Sequence, residues 1–220
     1  MTRRINLQYD WDRITSLAYL TLIELNINEF PIPIKKIKCK EVIITSFQKY
    51  AKLTGCNLDD ITCGHEFDDA FYLSGLRPGL KIILYNKEKY DRRLKHTLWH
   101  EVGHVKCEHK SHREQEEIEA HFFASQANAP NILIKALCQR GYEINTNSLM
   151  TYFGLSNESA EKKMSYLQNH SFNHENDNDD LIIQLFTPFL DLQYPPITQH
   201  FYDFDYEERE RERDSWKYIR

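Results

Sequence analysis

Glycine and proline are scarce, seven of each in 220 residues. So little of either excludes a collagen-like or linker-dominated chain. No run of about 18 apolar residues occurs, which excludes a membrane-spanning helix. Positive charge is not in excess: 28 Lys and Arg stand against 33 Asp and Glu, a net charge of −5. A strongly basic nucleic-acid binder is therefore excluded as a description of the whole chain. No Cys-x-x-Cys pair exists, and the five cysteines, Cys39, Cys56, Cys63, Cys107 and Cys138, are odd in number and loosely spaced. The basic opening residues Met1 to Gln8 are not followed by the apolar stretch of an export signal. The thiols are accordingly expected to be reduced and the protein cytoplasmic, away from any membrane.

What is present is ordinary globular material, 41 % hydrophobic and 28 % charged, enough to bury a core. Trp11, Ile14, Leu17, Ala18, Leu22 and Leu25 recur at helical spacing, so a helix is expected over Trp11 to Asn26. Pro31-Ile32-Pro33 then extends the chain. Strands are expected over Val42 to Phe47, Ala70 to Ser74 and Leu80 to Tyr85, the last two forming a hairpin across Gly75-Leu76-Arg77-Pro78-Gly79. The polar stretch from Cys56 to Asp69 has no period and reads as loop. Helices are expected over Asp91 to Cys107, Glu114 to Asn128 and Asn131 to Arg140, with Gly141 as a stop. Asn147 to Asn169 reads as two short helices joined at Gly154-Leu155-Ser156, Ser156 being the natural N-cap.

The chemistry is concentrated in His100-Glu101-Val102-Gly103-His104. On a helix, residues four apart share a face, so His100 and His104 are spaced to hold one tetrahedral metal ion. Glu101 is offset around the helix, where a general base for water at the metal belongs. A chance match is expected in roughly 4 % of chains of this composition. Gly103 costs a helix about 1 kcal/mol relative to Ala, so a close approach of its backbone to a metal, a substrate or another helix is implied. Glu119 lies 15 residues after His104 in the next expected helix, and an antiparallel return brings it back beside His104. The expected centre is thus zinc held by His100, His104 and Glu119, with the fourth place open for catalysis. Glu116 is the competitor for third ligand. His96 lies one turn before His100, and Cys107, His109 and His112 read as solvated loop residues. His65 and His174 have no partner at useful spacing.

His96-Thr97-Leu98-Trp99-His100-Glu101-Val102-Gly103-His104, followed by Glu119-Ala120-His121-Phe122-Phe123-Ala124, resembles the ImmA/IrrE family of metallo-endopeptidases. The resemblance runs from about Asn86 to Leu167, and Asn86, Arg92, Arg93 and Pro130 fit the family outline. It implies His100, His104 and Glu119 as zinc ligands and Glu101 as the catalytic base. His121 departs from the usual Asn or Asp, and His96 from a common aromatic. The resemblance also implies, as substrate, a specific helix-turn-helix repressor of a mobile element or phage.

The expected fold is α+β: a small, mostly antiparallel sheet packed on the zinc helix, with a helical C-terminal half. The expected division is a zincin-like domain over 1–130, a helix-turn-helix-like extension over 131–170 and an acidic tail over 171–220. In the tail, Leu181 to Leu192 is apolar, Pro195-Pro196 breaks it, and Glu207 to Asp214 alternates acid and arginine. Lys135, Arg140, Lys162 and Lys163 against Glu143, Glu158 and Glu161 leave the extension too nearly neutral to drive DNA binding. The expected function is zinc-dependent proteolysis of one regulator. His121, His96, Tyr72 and Tyr85 are the candidates for stabilising the oxyanion. The rival expectation is a regulatory zinc protein that acts by protein or DNA binding without cleavage; the intact Glu101 speaks against it.

Overall fold

The computed structural model describes residues 9–62, 69–74, 81–89, 91–110, 113–169 and 175–197. Helix α1 spans Trp11–Glu24, and Asp10 caps it by accepting a hydrogen bond from the Arg13 N–H. Strand β1 (Ile43–Ser46) runs directly into α2 (Phe47–Thr54), because the Ser46 hydroxyl accepts from the Lys49 N–H and so starts the helix. This ends the strand one residue short of the expected Phe47. A short helix, α3 (Leu58–Thr62), occupies part of the stretch expected as loop. Strands β2 (Ala70–Ser74) and β3 (Lys81–Tyr85) pair antiparallel, with Tyr72 opposite Ile83. Their expected turn at 75–79 lies outside the described residues.

The sheet order is β1-β3-β2, and β1 is parallel to β3, with Ile44 opposite Ile83. The sheet is therefore mixed, where a mostly antiparallel one was expected. The cause is α2: a strand that leads straight into a helix cannot make a hairpin, so β1 returns to the sheet only through a crossover. As the central strand, β3 is buried on both faces, which explains its unbroken apolar run. Ile83 faces the main core, while Ile82 and Leu84 join Phe47 and Ile61 beneath α2 and α3.

The main core lies between α4 (Asp91–Lys106), α5 (Glu114–Asn128) and α1. Leu94, Leu98, Trp99 and Val102 of α4 meet Ala120, Phe123, Ala124 and Ala127 of α5, all buried. A Cβ on Gly103 would lie 3.2 Å from the Ala120 carbonyl oxygen and 3.2 Å from Phe123 Cβ. The close approach that Gly103 implies is thus to another helix. The same α4 also touches β2 and β3.

The rest of the chain is α6 (Asn131–Gln139), α7 (Thr146–Tyr152), α8 (Asn157–Asn169) and α9 (Asp179–Gln193). Ser156 takes its expected place before α8, accepting from the Ser159 N–H. The α7–α8 turn needs Gly154: its φ is 66°, and a Cβ there would come within 2.8 Å of Pro31 and 2.9 Å of the Lys95 amine. Ile182, Phe186 and Leu190 of α9 belong to the same buried cluster as α1, α4 and α5. No helix among the described residues is long and apolar enough to cross a membrane. Glu207 to Asp214 lies outside the described residues.

Candidate metal centre

The centre forms where the last two turns of α4 face the first half of α5. His100 and His104 point their Nε2 atoms at each other, 3.0 Å apart. The Glu117 carboxylate stands against both, 3.2 Å from His100 Nε2 and 3.5 Å from His104 Nε2. Tetrahedral zinc with bonds of about 2.0–2.1 Å holds its donor atoms roughly 3.3 Å apart. Two imidazole nitrogens and a carboxylate at these separations fit zinc in both geometry and chemistry. Four residues beyond Glu117, on the same helix face, His121 lies against His100 with ring centroids 4.3 Å apart. His100, Glu117 and His121 each offer a ligand atom within 4.8 Å of the others.

The histidines are poor proton carriers. Burial, then the neighbouring His121 and His104, pushes His100 down to about 3. Burial and His121 push His96 down to about 4, and burial lowers His121. All three are therefore neutral at pH 7, the state in which an imidazole can ligate a metal. Glu101 is half-buried beside His100 on α4.

Glu119 is placed differently from Glu117. Two residues apart on a helix is more than half a turn, so the two carboxylates diverge. Glu119 accepts hydrogen bonds from Arg13 Nη2 at 3.3 Å and Gln115 Nε2 at 3.1 Å, and lies 3.1 Å from His109 Nε2. His109 in turn reaches His104, Nδ1 to Nδ1, at 3.0 Å. Glu116 closes the N-terminus of α5, taking the backbone N–H groups of Lys110 and Arg113. His96 stacks on His121 at 5.7 Å. Cys107 is a buried thiol that burial pushes up to about 11. His65, His112 and His174 lie outside the described residues.

Two residues of this cluster escaped the sequence argument. Glu117 is not singled out by the sequence, because spacing alone does not give the rotation of α5 relative to α4. For His109 no signal exists: it returns to His104 because Glu108 adopts φ 59°, a conformation that a glutamate gives no reason to expect. The arginine pair also has structural work, with Arg93 bridging to the buried Asp69 and Arg92 donating to the Leu155 carbonyl at 3.3 Å.

Comparison with known proteins adds one match: residues 64–165 fit the peptidase family described as the IrrE N-terminal-like domain. No curated protein and no solved structure shows significant similarity to the chain. The matched stretch contains the paired histidines, Glu101 and both candidate carboxylates. The match spans residues 64–165, a little under half of the chain, and this similarity supports a metallopeptidase of the ImmA/IrrE type.

Proposed function

We propose that the protein is a zinc-dependent endopeptidase whose metal is held by His100, His104 and Glu117, with Glu101 as general base. The convergence of His100 Nε2, His104 Nε2 and the Glu117 carboxylate within 3.0–3.5 Å carries this reading. Zinc, when bound, polarises the scissile carbonyl and makes water acidic enough to lose a proton near neutral pH. Glu101 takes that proton and hands it to the departing amine. His121, neutral and exposed beside His100, is placed to donate a hydrogen bond to the developing oxyanion. The substrate lies extended along β2, which pairs among the described residues only with β3 and so keeps one edge free for a peptide backbone.

The test is metal content and cleavage measured on the same preparations. Wild type should carry one zinc. Glu117→Ala should lose it, and Glu101→Gln should keep it while losing cleavage. An active Glu101→Gln protein removes the mechanism.

The substrate is one cytoplasmic protein, a helix-turn-helix repressor encoded beside the gene on a mobile element or phage. The family-model match over residues 64–165 and the resemblance of the motif support this. So does surface charge: Glu175, Asp177, Asp179 and Asp180 present acid to a basic, DNA-binding partner. The zinc-loaded protein should cut that repressor and leave unfolded casein largely intact. Rapid casein digestion with the repressor untouched overturns the specificity.

A further inference from the structure

His104 is tied at both of its ring nitrogens, and the ties have a direction. An ionised carboxylate only accepts hydrogen bonds, so at Glu119 the proton of the contact belongs to His109 Nε2. An imidazole with its one proton on Nε2 has a bare Nδ1, which accepts, and the partner 3.0 Å from His109 Nδ1 that then donates is His104 Nδ1. With its proton on Nδ1, His104 keeps a lone pair on Nε2, the atom that faces His100 and Glu117. We infer that Glu119 and His109 are positioning residues, a relay that fixes His104 in the tautomer and orientation able to take the metal. The inference rests on the metal reading given above.

The surroundings suit a relay. The His109 side chain is 5 % exposed and that of Glu119 10 %, so little water competes for these contacts. The His109 N–H also donates to the His104 carbonyl at 3.0 Å, which fixes the returning turn. On its far side Glu119 is gripped by Arg13 and Gln115, so α1 and α5 both hold the end of the relay. His100 has no such support at Nδ1, which is buried without a hydrogen-bond partner; it is held through Nε2, by Glu117 and His104, and by packing against the rings of His104 and His121. The two zinc histidines are thus held by different means, and of the two His104 is the one tied through Nδ1. Partners of this kind typically change metal affinity by 10- to 100-fold.

The experiment uses the full chain, with zinc affinity read by competition against a chromogenic chelator and side-chain tautomers read from long-range ¹⁵N–¹H spectra of the metal-free protein. Metal-free wild type should show His104 protonated on Nδ1 and His109 on Nε2. His109→Phe and Glu119→Ala should each weaken zinc by about 10- to 100-fold. The double variant should be no weaker than the worse single one, because the two act in series. The opposite His104 tautomer, or unchanged zinc affinity in His109→Phe, overturns the relay. Complete zinc loss in Glu119→Ala with none in His109→Phe also overturns it, and makes Glu119 a ligand. If wild type takes up no zinc, the metal reading fails, while the metal-free spectra still decide the relay. They decide it equally where a variant does not fold.

Discussion

Lys163, on α8, is 2 % exposed, and among the described residues its amine reaches only the Ser125 carbonyl and hydroxyl, at 3.5 and 3.4 Å. Loss of water pushes it from 10.5 down to about 7. Between those values the unfolded chain holds a proton that the folded chain does not, so stability rises with pH across that window. Below about pH 7 both states are charged and the full penalty remains. Lys163→Met keeps the volume and discards the charge. It should raise stability at pH 7 by on the order of a few kcal/mol and flatten the slope between pH 7 and 10, read by urea melts at each pH. A variant with the wild-type slope would show that the amine is solvated. Gly103 carries the opposite lesson. Gly103→Ala gains about 1 kcal/mol of helix propensity and loses a similar amount to contacts with Ala120 and Phe123. Its melting temperature should therefore move by only a few degrees, while zinc affinity falls because α5 and Glu117 are pushed away.

At the level of elements, the site is one pair of helices viewed from one face. The motif fixes which side of α4 carries the histidines, and that side was legible in the sequence because positions four apart coincide on any helix. The face of α5 was not legible. Glu116 and Glu119 lie one turn apart on one side of the helix and Glu117 on another, and the choice between those sides depends on how α5 is rolled against Gly103. The sheet repeats the point. The strands near 43–46, 70–74 and 81–85 follow from β-branched and aromatic runs. The direction of β1 does not, because it depends on α2, whose first residue, Phe47, reads as the end of the strand. Edge recognition belongs to this scale. A non-cleaved peptide mimic of the substrate should slow amide hydrogen exchange in β2 and leave that in β1 unchanged. Protection confined to β1 would move the binding edge across the sheet.

Across the whole molecule, the three segments expected from composition share one interior. Phe30 lies 4.5 Å from Phe153, 6.0 Å from Phe186 and 5.4 Å from Tyr194, ring centre to ring centre. One aromatic cluster thereby joins the segment before β1 to α7 and α9. Arg140 adds polar ties at the same end, to Asp191 at 2.7 Å and to the Tyr194 carbonyl at 3.1 Å. Phe186→Ala should therefore cost about 3–5 kcal/mol and melt the whole chain in a single transition, while Leu192→Ala, at a position 76 % exposed, should cost little. A Phe186→Ala protein that loses α9 while the rest of the chain keeps its thermal stability would show α9 to be an independent appendage.

The sequence by itself determined what local chemistry can determine: α1 and α4 to α8 from periodicity, caps and stops, the histidine pair and Glu101 from helical spacing, and a close neighbour for Gly103 from the cost of glycine in a helix. These features depend on residues near one another along the chain. Tertiary structure decided the features that join distant residues. It set the parallel pairing of β1 with β3 and the Glu117 carboxylate against His100 and His104. It also set the left-handed turn at Glu108 that returns His109 to His104, and the contact of Arg13 with Glu119 across 106 residues of sequence. The physical reason is one of phase. A helix fixes the angles among its own side chains, but its rotation relative to a neighbour is set only when both bury their apolar faces together.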